Sequence, residues 1–132
     1  MAAKARLSCA YFVESTRFYA EARDRILASF ERLSAEWPRS GAKYVAFVGA
    51  GEVAEIGYIC LRQTDLQLAG VLDESRVRPF LGMPVHRPSE WSALAKSCGT
   101  VPIFVPMSFE APEDIQHRLD EVCIPRHQVF WL

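Results

Sequence analysis

The stretch VAFVGAGEVAEIGY, Val45 to Tyr58, decides the fold, because an apolar run passes through two glycines into a helical pattern. Residues 49–54, GAGEVA, have the form G-x-G-x-x-A. A strand, a glycine turn and a helix in this order can place a phosphate at the helix N-terminus. The stretch therefore predicts either a cradle for a nucleotide phosphate or a turn that needs small residues for packing alone.

Each small residue of this turn has a physical role if a nucleotide binds. Gly49 permits the tight turn, Gly51 lets a pyrophosphate approach the backbone, and Ala54 or Gly57 lets the helix lie close to the strand. Asp73 ends the next predicted strand, 22 residues past Gly51, where a carboxylate can accept hydrogen bonds from ribose hydroxyls. The predicted ligand-facing residues are Gly49, Ala50, Gly51, Glu52, Val53, Asp73, Arg76 and Ser108.

Charged residues near the turn argue in both directions. Glu52 and Glu55 suit a bare helix N-terminus, but they would repel a phosphate placed there. Asp73 would repel a 2′-phosphate, which Arg76 and Arg78 could instead accept, unless they only solvate a loop.

A second candidate region follows the predicted strand Val101–Val105, because ligands bind beyond the carboxyl ends of parallel strands where the strand order reverses. Ser108 in this region could bond a ligand or cap the following helix. Arg87, after a short third strand, could meet an anion or simply be exposed.

Apolar runs alternate with helical patterns along the chain, which predicts an α/β protein. We expect a single Rossmann-like parallel sheet of about five strands with helices on both faces, and one long N-terminal helix that precedes the sheet in sequence. The apolar run at Val45 is expected at the centre. The predicted helices are Tyr11–Trp37, Glu52–Gln63, Ser89–Ser97, capped by Ser89, and Pro112–Val122. The predicted strands are Tyr44–Val48, Leu66–Leu72, Met83–His86, Val101–Val105 and Gln128–Leu132.

The first helix divides the chain into residues 1–43, an amphipathic helix and linker, and residues 44–132, the predicted nucleotide-binding domain. Its apolar stripe is formed by Ile26, Phe30, Leu33 and Trp37. This stripe predicts packing on the sheet or pairing with the same helix of a second copy, and the sequence favours neither.

Composition limits the function. The 132 residues carry a net charge of -1, which gives no footprint for direct nucleic-acid binding. Residues 1–44 hold eight Lys/Arg against five Asp/Glu, whereas residues 45–132 hold seven Lys/Arg against eleven Asp/Glu. The excess of positive charge in residues 1–44 is compatible with a basic arm that contacts an acidic partner and with a helix face exposed to solvent. No signal peptide or membrane-spanning run is apparent, and four scattered cysteines in apolar surroundings predict buried free thiols and a cytoplasmic protein.

Other chemistry is not signalled. His86, His117 and His127 have no metal-ligand spacing, so no metal site is predicted. The nucleophile pattern G-x-S-x-G is absent from the sequence. No catalytic residue is therefore predicted.

From Tyr44 to Leu132, about two-thirds of the chain, the sequence resembles the Rossmann-like module of bacterial polysaccharide-related proteins. The likeness is carried by VAFVGAGEVAEIGY, LAGVLDES, FLGMPV, SFE and IPRHQVFWL. It is closest to a domain that trails a winged helix in regulators of exopolysaccharide clusters, and it is similar to the nucleotide-sugar-binding domain of sugar acyltransferases and to the CoA-binding-like domain of polysaccharide synthases. The resemblance implies that Gly49, Gly51 and Asp73 face a nucleotide.

Two departures limit what this resemblance implies. Residues 1–44 offer one long helix and no complete winged helix, so DNA binding is not carried over. No acyltransferase repeat follows Leu132, so acetyl transfer is not implied.

A dehydrogenase needs a further region that holds substrate beside the cofactor, and the predicted sheet ends the chain. We therefore expect a non-catalytic nucleotide-binding or sensing module, regulatory or accessory to cell-surface polysaccharide synthesis, that acts as a homodimer or with a partner protein through the N-terminal helix. NAD(P), CoA and nucleotide-sugars are the candidate ligands. The alternatives are a small enzyme whose site is completed by another subunit and an interaction domain without a ligand.

Overall fold

The structure is a computed structural model, which describes residues 2–75 and 78–132 and, within them, the side chains from Arg17 onward. The helices are α1 (Ala2–Ala35), α2 (Glu52–Leu61), α3 (Trp91–Cys98) and α4 (Pro112–Glu121). The strands are β1 (Tyr44–Val48), β2 (Gln67–Leu72), β3 (Val85–His86) and β4 (Ile103–Pro106). Short 3-10 helices lie at Pro88–Glu90 and Arg126–Gln128.

The four strands form one parallel sheet in the order β3-β2-β1-β4. β1 is an inner strand, as its continuous apolar run predicts, and its three central residues are buried. Val48, its last residue, pairs with Leu72 of β2 and with Pro106 of β4. The carboxyl ends of three strands therefore meet at one edge of the sheet.

Helices cover both faces of the sheet, as predicted. Alternate residues of β1 point to opposite faces, so Val45 and Phe47 pack with α1 and α2, and Ala46 packs with α3 and α4. Trp91 of α3 packs edge-on against Phe104, and its indole N–H donates to the carbonyl of Val122 over 2.7 Å. The sheet is consequently the middle layer of three.

The prediction of a fifth strand at Gln128–Leu132 is wrong. This segment makes one parallel bridge, between Val129 and Phe104, and the Phe130 N–H donates to the Phe104 carbonyl over 2.9 Å. Pro125, with φ −63°, precedes a 3-10 helix that includes Gln128. The extended segment that follows is therefore too short to form a series of strand-to-strand hydrogen bonds with β4. The apolar alternation still holds, because Phe130 packs on one side of the sheet and Trp131 on the other.

The predicted cap of the third helix is also wrong. Ser89 lies inside the 3-10 helix Pro88–Glu90, and α3 begins at Trp91. The carboxylate of Glu90 accepts the Arg87 N–H over 2.9 Å, so this acid and not Ser89 stabilises the start of the segment. Proline in the first turn suits a 3-10 helix, because it needs no N–H there.

α1 packs on the sheet, which decides between the two arrangements that its apolar stripe allows. Ile26, Phe30 and Leu33 are buried in the same cluster as Val45. The Phe30 and Phe47 rings stack with centroids 6.1 Å apart. These three residues of the stripe are thus buried within the chain.

At 34 residues α1 is about 50 Å long. No helix in the described part of the chain combines the length and the apolar content that crossing a membrane requires.

A polar clip fixes the C-terminal end of α1 to the start of the sheet. Lys43 forms an ion pair with Asp65 over 2.8 Å and donates to the Ser34 carbonyl over 2.9 Å, and the Ser34 hydroxyl also bonds Asp65. The hydrogen bond from Lys43 lowers the pKa of the Asp65 carboxyl below its usual value. The clip joins the linker, α1 and the loop before β2.

The described cysteines differ in their exposure to solvent, although the sequence predicts that all are buried. Cys60 is buried, and burial raises the pKa of its thiol, which donates to the Arg23 carbonyl over 3.5 Å. Cys98 is half-buried and Cys123 is exposed, so the expectation of a buried thiol is wrong for Cys123. The side chain of Cys9 lies outside the described residues.

Candidate functional site

A cleft of about 630 Å³ opens where the carboxyl ends of β1, β2 and β4 meet. Its floor is formed by residues 48–53, by Leu72 and Asp73 at the end of β2, and by Met107 after β4. A volume of this size is typical of small-molecule sites. The cleft lies where the strand order changes direction, between β1 and β4.

The glycine turn that forms one wall is built as the sequence predicts. The Gly49 N–H donates to the Leu72 carbonyl over 2.7 Å, which extends the sheet by one residue before the chain turns. Gly49 has φ +111°, and a Cβ at this residue would lie 3.0 Å from the Met107 carbonyl oxygen. Both its backbone conformation and its close neighbour therefore require glycine.

We expect Gly49→Ala to lower the free energy of unfolding by about 1–3 kcal/mol, because alanine is strained at this φ and crowds the Met107 carbonyl. Urea denaturation measures the change. Gly51→Ala is the matched control: Gly51 has φ −91°, and a Cβ there meets nothing within 4 Å. Equal losses in the two variants would contradict the strain argument.

The N-terminus of α2 faces the same cleft. Gly51 is its N-cap residue, and no side chain described in the structure caps it. The backbone N–H groups in the first turn of a helix have no partners inside the helix. In α2 the first N–H that bonds within the helix is that of Glu55, which donates to the Gly51 carbonyl over 3.2 Å. Gly51, Glu52 and Val53 line the cleft, so these donors are available to a ligand.

Asp73 reaches the turn from the tip of β2. Its Oδ2 accepts the Ala50 N–H over 2.9 Å, and its Oδ1 accepts the Ser75 N–H and hydroxyl over 2.9 and 3.0 Å. The structure therefore brings the predicted carboxylate and the predicted turn together. A ribose hydroxyl would compete with these donors, and it would gain an acceptor by displacing the Ser75 hydroxyl.

Ser108 lies on the opposite wall, in the loop after β4. Its hydroxyl accepts the Glu110 N–H over 3.1 Å, and the N-cap of α4 is Ala111, so Ser108 stabilises the loop and does not cap the helix. Ser108 also lines the cleft together with Phe109. Its hydroxyl proton could still be donated to a ligand.

α4 supplies a wall that sequence reasoning missed. Ile115, Arg118, Leu119 and Val122 all line the cleft. They recur at intervals of three and four residues along one helical face, and this periodicity is the signal that could have identified them.

The arginines considered from the sequence do not form a phosphate site in the described residues. Arg76 lies outside them. Arg78 and Arg87 are exposed and do not line the cleft. Among the described lining residues the only cation is Arg118, and its guanidinium is bonded to the Glu110 carboxylate.

The chemistry of the cleft follows from its lining. Backbone N–H groups of residues 51–53 can donate hydrogen bonds, while Asp73 and the other carboxylates can accept them. Val48, which is half-buried, and Phe109, which is exposed, offer apolar surface to a flat ring. This combination suits a ligand with hydroxyls and an aromatic base.

Comparison with known proteins identifies no relative. No protein-family model matches the chain, and no curated protein or solved structure matches it.

Proposed function

We propose that this protein is a non-catalytic module that binds or senses a small molecule containing a ribonucleoside. The sheet would then serve as a Rossmann-type scaffold, with the ribose at Asp73 and the rest of the ligand along residues 49–53. The position of the cleft beyond the carboxyl ends of the strands supports this assignment.

One observation carries the proposal: the Asp73 carboxylate lies 2.9 Å from the Ala50 amide, beside the N-terminus of α2. Backbone donors and a carboxylate are thus presented to one cleft, which is what recognition of a ribose and its substituent needs. A turn that served packing alone would not require the open space beside Gly51.

α1 contacts both walls of the cleft, which supports a sensing role. The Tyr19 hydroxyl donates to Glu52 in the glycine turn over 2.7 Å. The Phe18 ring packs edge-on against Phe109 of the opposite loop, with centroids 5.5 Å apart. A ligand that moves either wall would change the contacts of α1, and differential binding by two arrangements of this helix would transmit the signal.

The cellular role that fits the sequence resemblance is regulation or support of cell-surface polysaccharide synthesis in the cytoplasm. Under this proposal α1 would pass the signal to a second copy or to a partner protein. Its stripe of buried residues is already used, so the contact would involve the exposed side chains near Phe18 and Tyr19, which are 49% and 40% exposed.

A thermal-shift series tests the proposal. The panel contains adenosine, uridine, NAD, NADP, CoA, UDP-glucose and S-adenosylmethionine. A ligand at about 100 times its Kd adds about 2.7 kcal/mol to stability, which raises the melting temperature by several degrees. If no compound of the panel shifts the melting temperature, the nucleoside site is refuted and an interaction domain is favoured.

Asp73→Ala should weaken a compound that binds in this series by about 1–3 kcal/mol, because the ribose loses its acceptor. Titration calorimetry measures the change. Ser75→Ala is the control, since it removes a hydroxyl bonded to the same carboxylate and leaves the acceptor in place. Its affinity should be unchanged or higher, and a loss as large as that of Asp73→Ala would show that loop order, not ribose recognition, is being measured.

A further inference from the structure

Glu52 is held in position at the entrance of the cleft by a residue from another helix. The Tyr19 hydroxyl of α1 donates to its Oε2 over 2.7 Å, across 33 positions of sequence. Glu52 directly follows Gly51, the N-cap of α2. Its carboxylate is therefore tied to α1 at the start of α2, in a residue that lines the cleft.

The charge of a helix N-terminus is too small to offset this acid. An α-helix presents about half a unit of positive charge at its first turn. The first turn of α2 contains two carboxylates, Glu52 and Glu55, each with a full negative charge. The local balance at the turn is negative, so this helix end differs from one that attracts an anion.

The rest of the described lining is also rich in acids. Besides Glu52, its acidic residues are Asp73, Glu74, Glu110 and Glu121, of which Glu110 pairs with Arg118 and Glu121 with His117. Arg118 is the one basic residue in the described lining. A diphosphate placed along the turn would meet the like charges of Glu52 and Glu74 and no unpaired cation among the described lining residues, and this repulsion would grow with each added phosphate charge.

We propose that the cleft selects nucleoside compounds that carry no phosphate and are neutral or cationic, and that Glu52, positioned by Tyr19, is the residue that sets this preference. The inference rests on the proposed function, namely that the cleft binds a nucleoside. A hydroxyl, an amine or a sulfonium group attached to the ribose would be accepted beside Glu52, where its carboxylate can take a hydrogen bond or pair with the positive charge.

A charge series on a fixed nucleoside tests the inference. Calorimetric titrations use adenosine, AMP, ADP and S-adenosylmethionine, with uridine, UMP and UDP in parallel to cover both kinds of base. The affinity should fall by roughly tenfold with each phosphate added, and S-adenosylmethionine should bind at least as tightly as adenosine. Added salt should weaken this dependence, because it screens the repulsion.

Two variants test whether Glu52 and Tyr19 together cause the preference for compounds without a phosphate. Glu52→Gln should raise the affinity for ADP or UDP by roughly tenfold and lower that for S-adenosylmethionine, whose positive charge loses its partner. Tyr19→Phe should give a smaller gain, since Glu52 keeps its charge but loses its tether. Glu113→Gln, which removes an exposed carboxylate at the start of α4 outside the cleft, is the control and should change neither affinity.

The outcomes separate this inference from the function on which it rests. An affinity that increases from nucleoside to diphosphate in the unmodified protein would overturn the inference and leave the nucleoside site standing. A Glu52→Gln variant with the same charge dependence as the unmodified protein would remove Glu52 as the selecting residue. Absence of binding by every compound would overturn both.

Discussion

Phe30→Ala lowers the free energy of unfolding by about 3–5 kcal/mol, the loss expected when a fully buried aromatic ring is deleted from a core. Phe30 has no exposed surface and stacks on Phe47 of the central strand. Since a domain of this size is stabilised by only about 5–15 kcal/mol, the variant should unfold at a much lower urea concentration. The result would show that α1 belongs to the core of the sheet.

Phe18→Ala provides the control on the same helix. Phe18 is 49% exposed and touches Phe109 by its edge, so its deletion should cost less than about 1 kcal/mol. Similar losses in the two variants, or a small loss for Phe30→Ala, would mean that α1 does not pack as described. Urea denaturation followed by circular dichroism distinguishes these cases.

Gly51→Val should leave the protein folded and reduce the affinity of the nucleoside ligand by about 100-fold or more, equivalent to about 2.7 kcal/mol. A Cβ at residue 51 meets nothing within 4 Å, and φ is −91°, so the fold tolerates a side chain. That open space is where a ligand would approach the backbone of the turn. The valine would fill it.

A graded series makes this prediction sharp. Gly51→Ala should weaken binding less than Gly51→Val, while both variants stay folded, since an apolar residue in place of an N-cap glycine costs on the order of 1 kcal/mol. Calorimetry measures affinity, and circular dichroism measures folding. Undiminished binding by Gly51→Val would place the ligand elsewhere.

The first β-α-β unit could be predicted from the sequence because its signals are local. An apolar run at Val45, glycines with distinct backbone needs and helical spacing after Glu52 determine the type and order of the elements. The failed prediction at Gln128–Leu132 has a different cause. Strand pairing depends on hydrogen bonds to a distant segment, and apolar alternation alone cannot report that the chain bends at Pro125 first.

The same distinction between local and distant contacts applies to the candidate site. Asp73 meets the glycine turn because both follow adjacent parallel strands, whose ends share one edge. The bond between Tyr19 and Glu52 could not be foreseen, since it depends on which face of α1 lies over the sheet. The sequence left this open because an apolar stripe looks the same whether a sheet or another helix covers it.

Both lateral margins of the sheet are protected against strand addition. β3 spans only Val85–His86, and the outer side of β4 is met by the Val129 bridge and the Phe130 amide. Edge strands that are this short, or whose outer side is already hydrogen-bonded, offer little template for pairing with a foreign peptide or for amyloid-like stacking. Any self-association of this protein should therefore be built from helical surfaces, and the chain should resist aggregation while it remains folded.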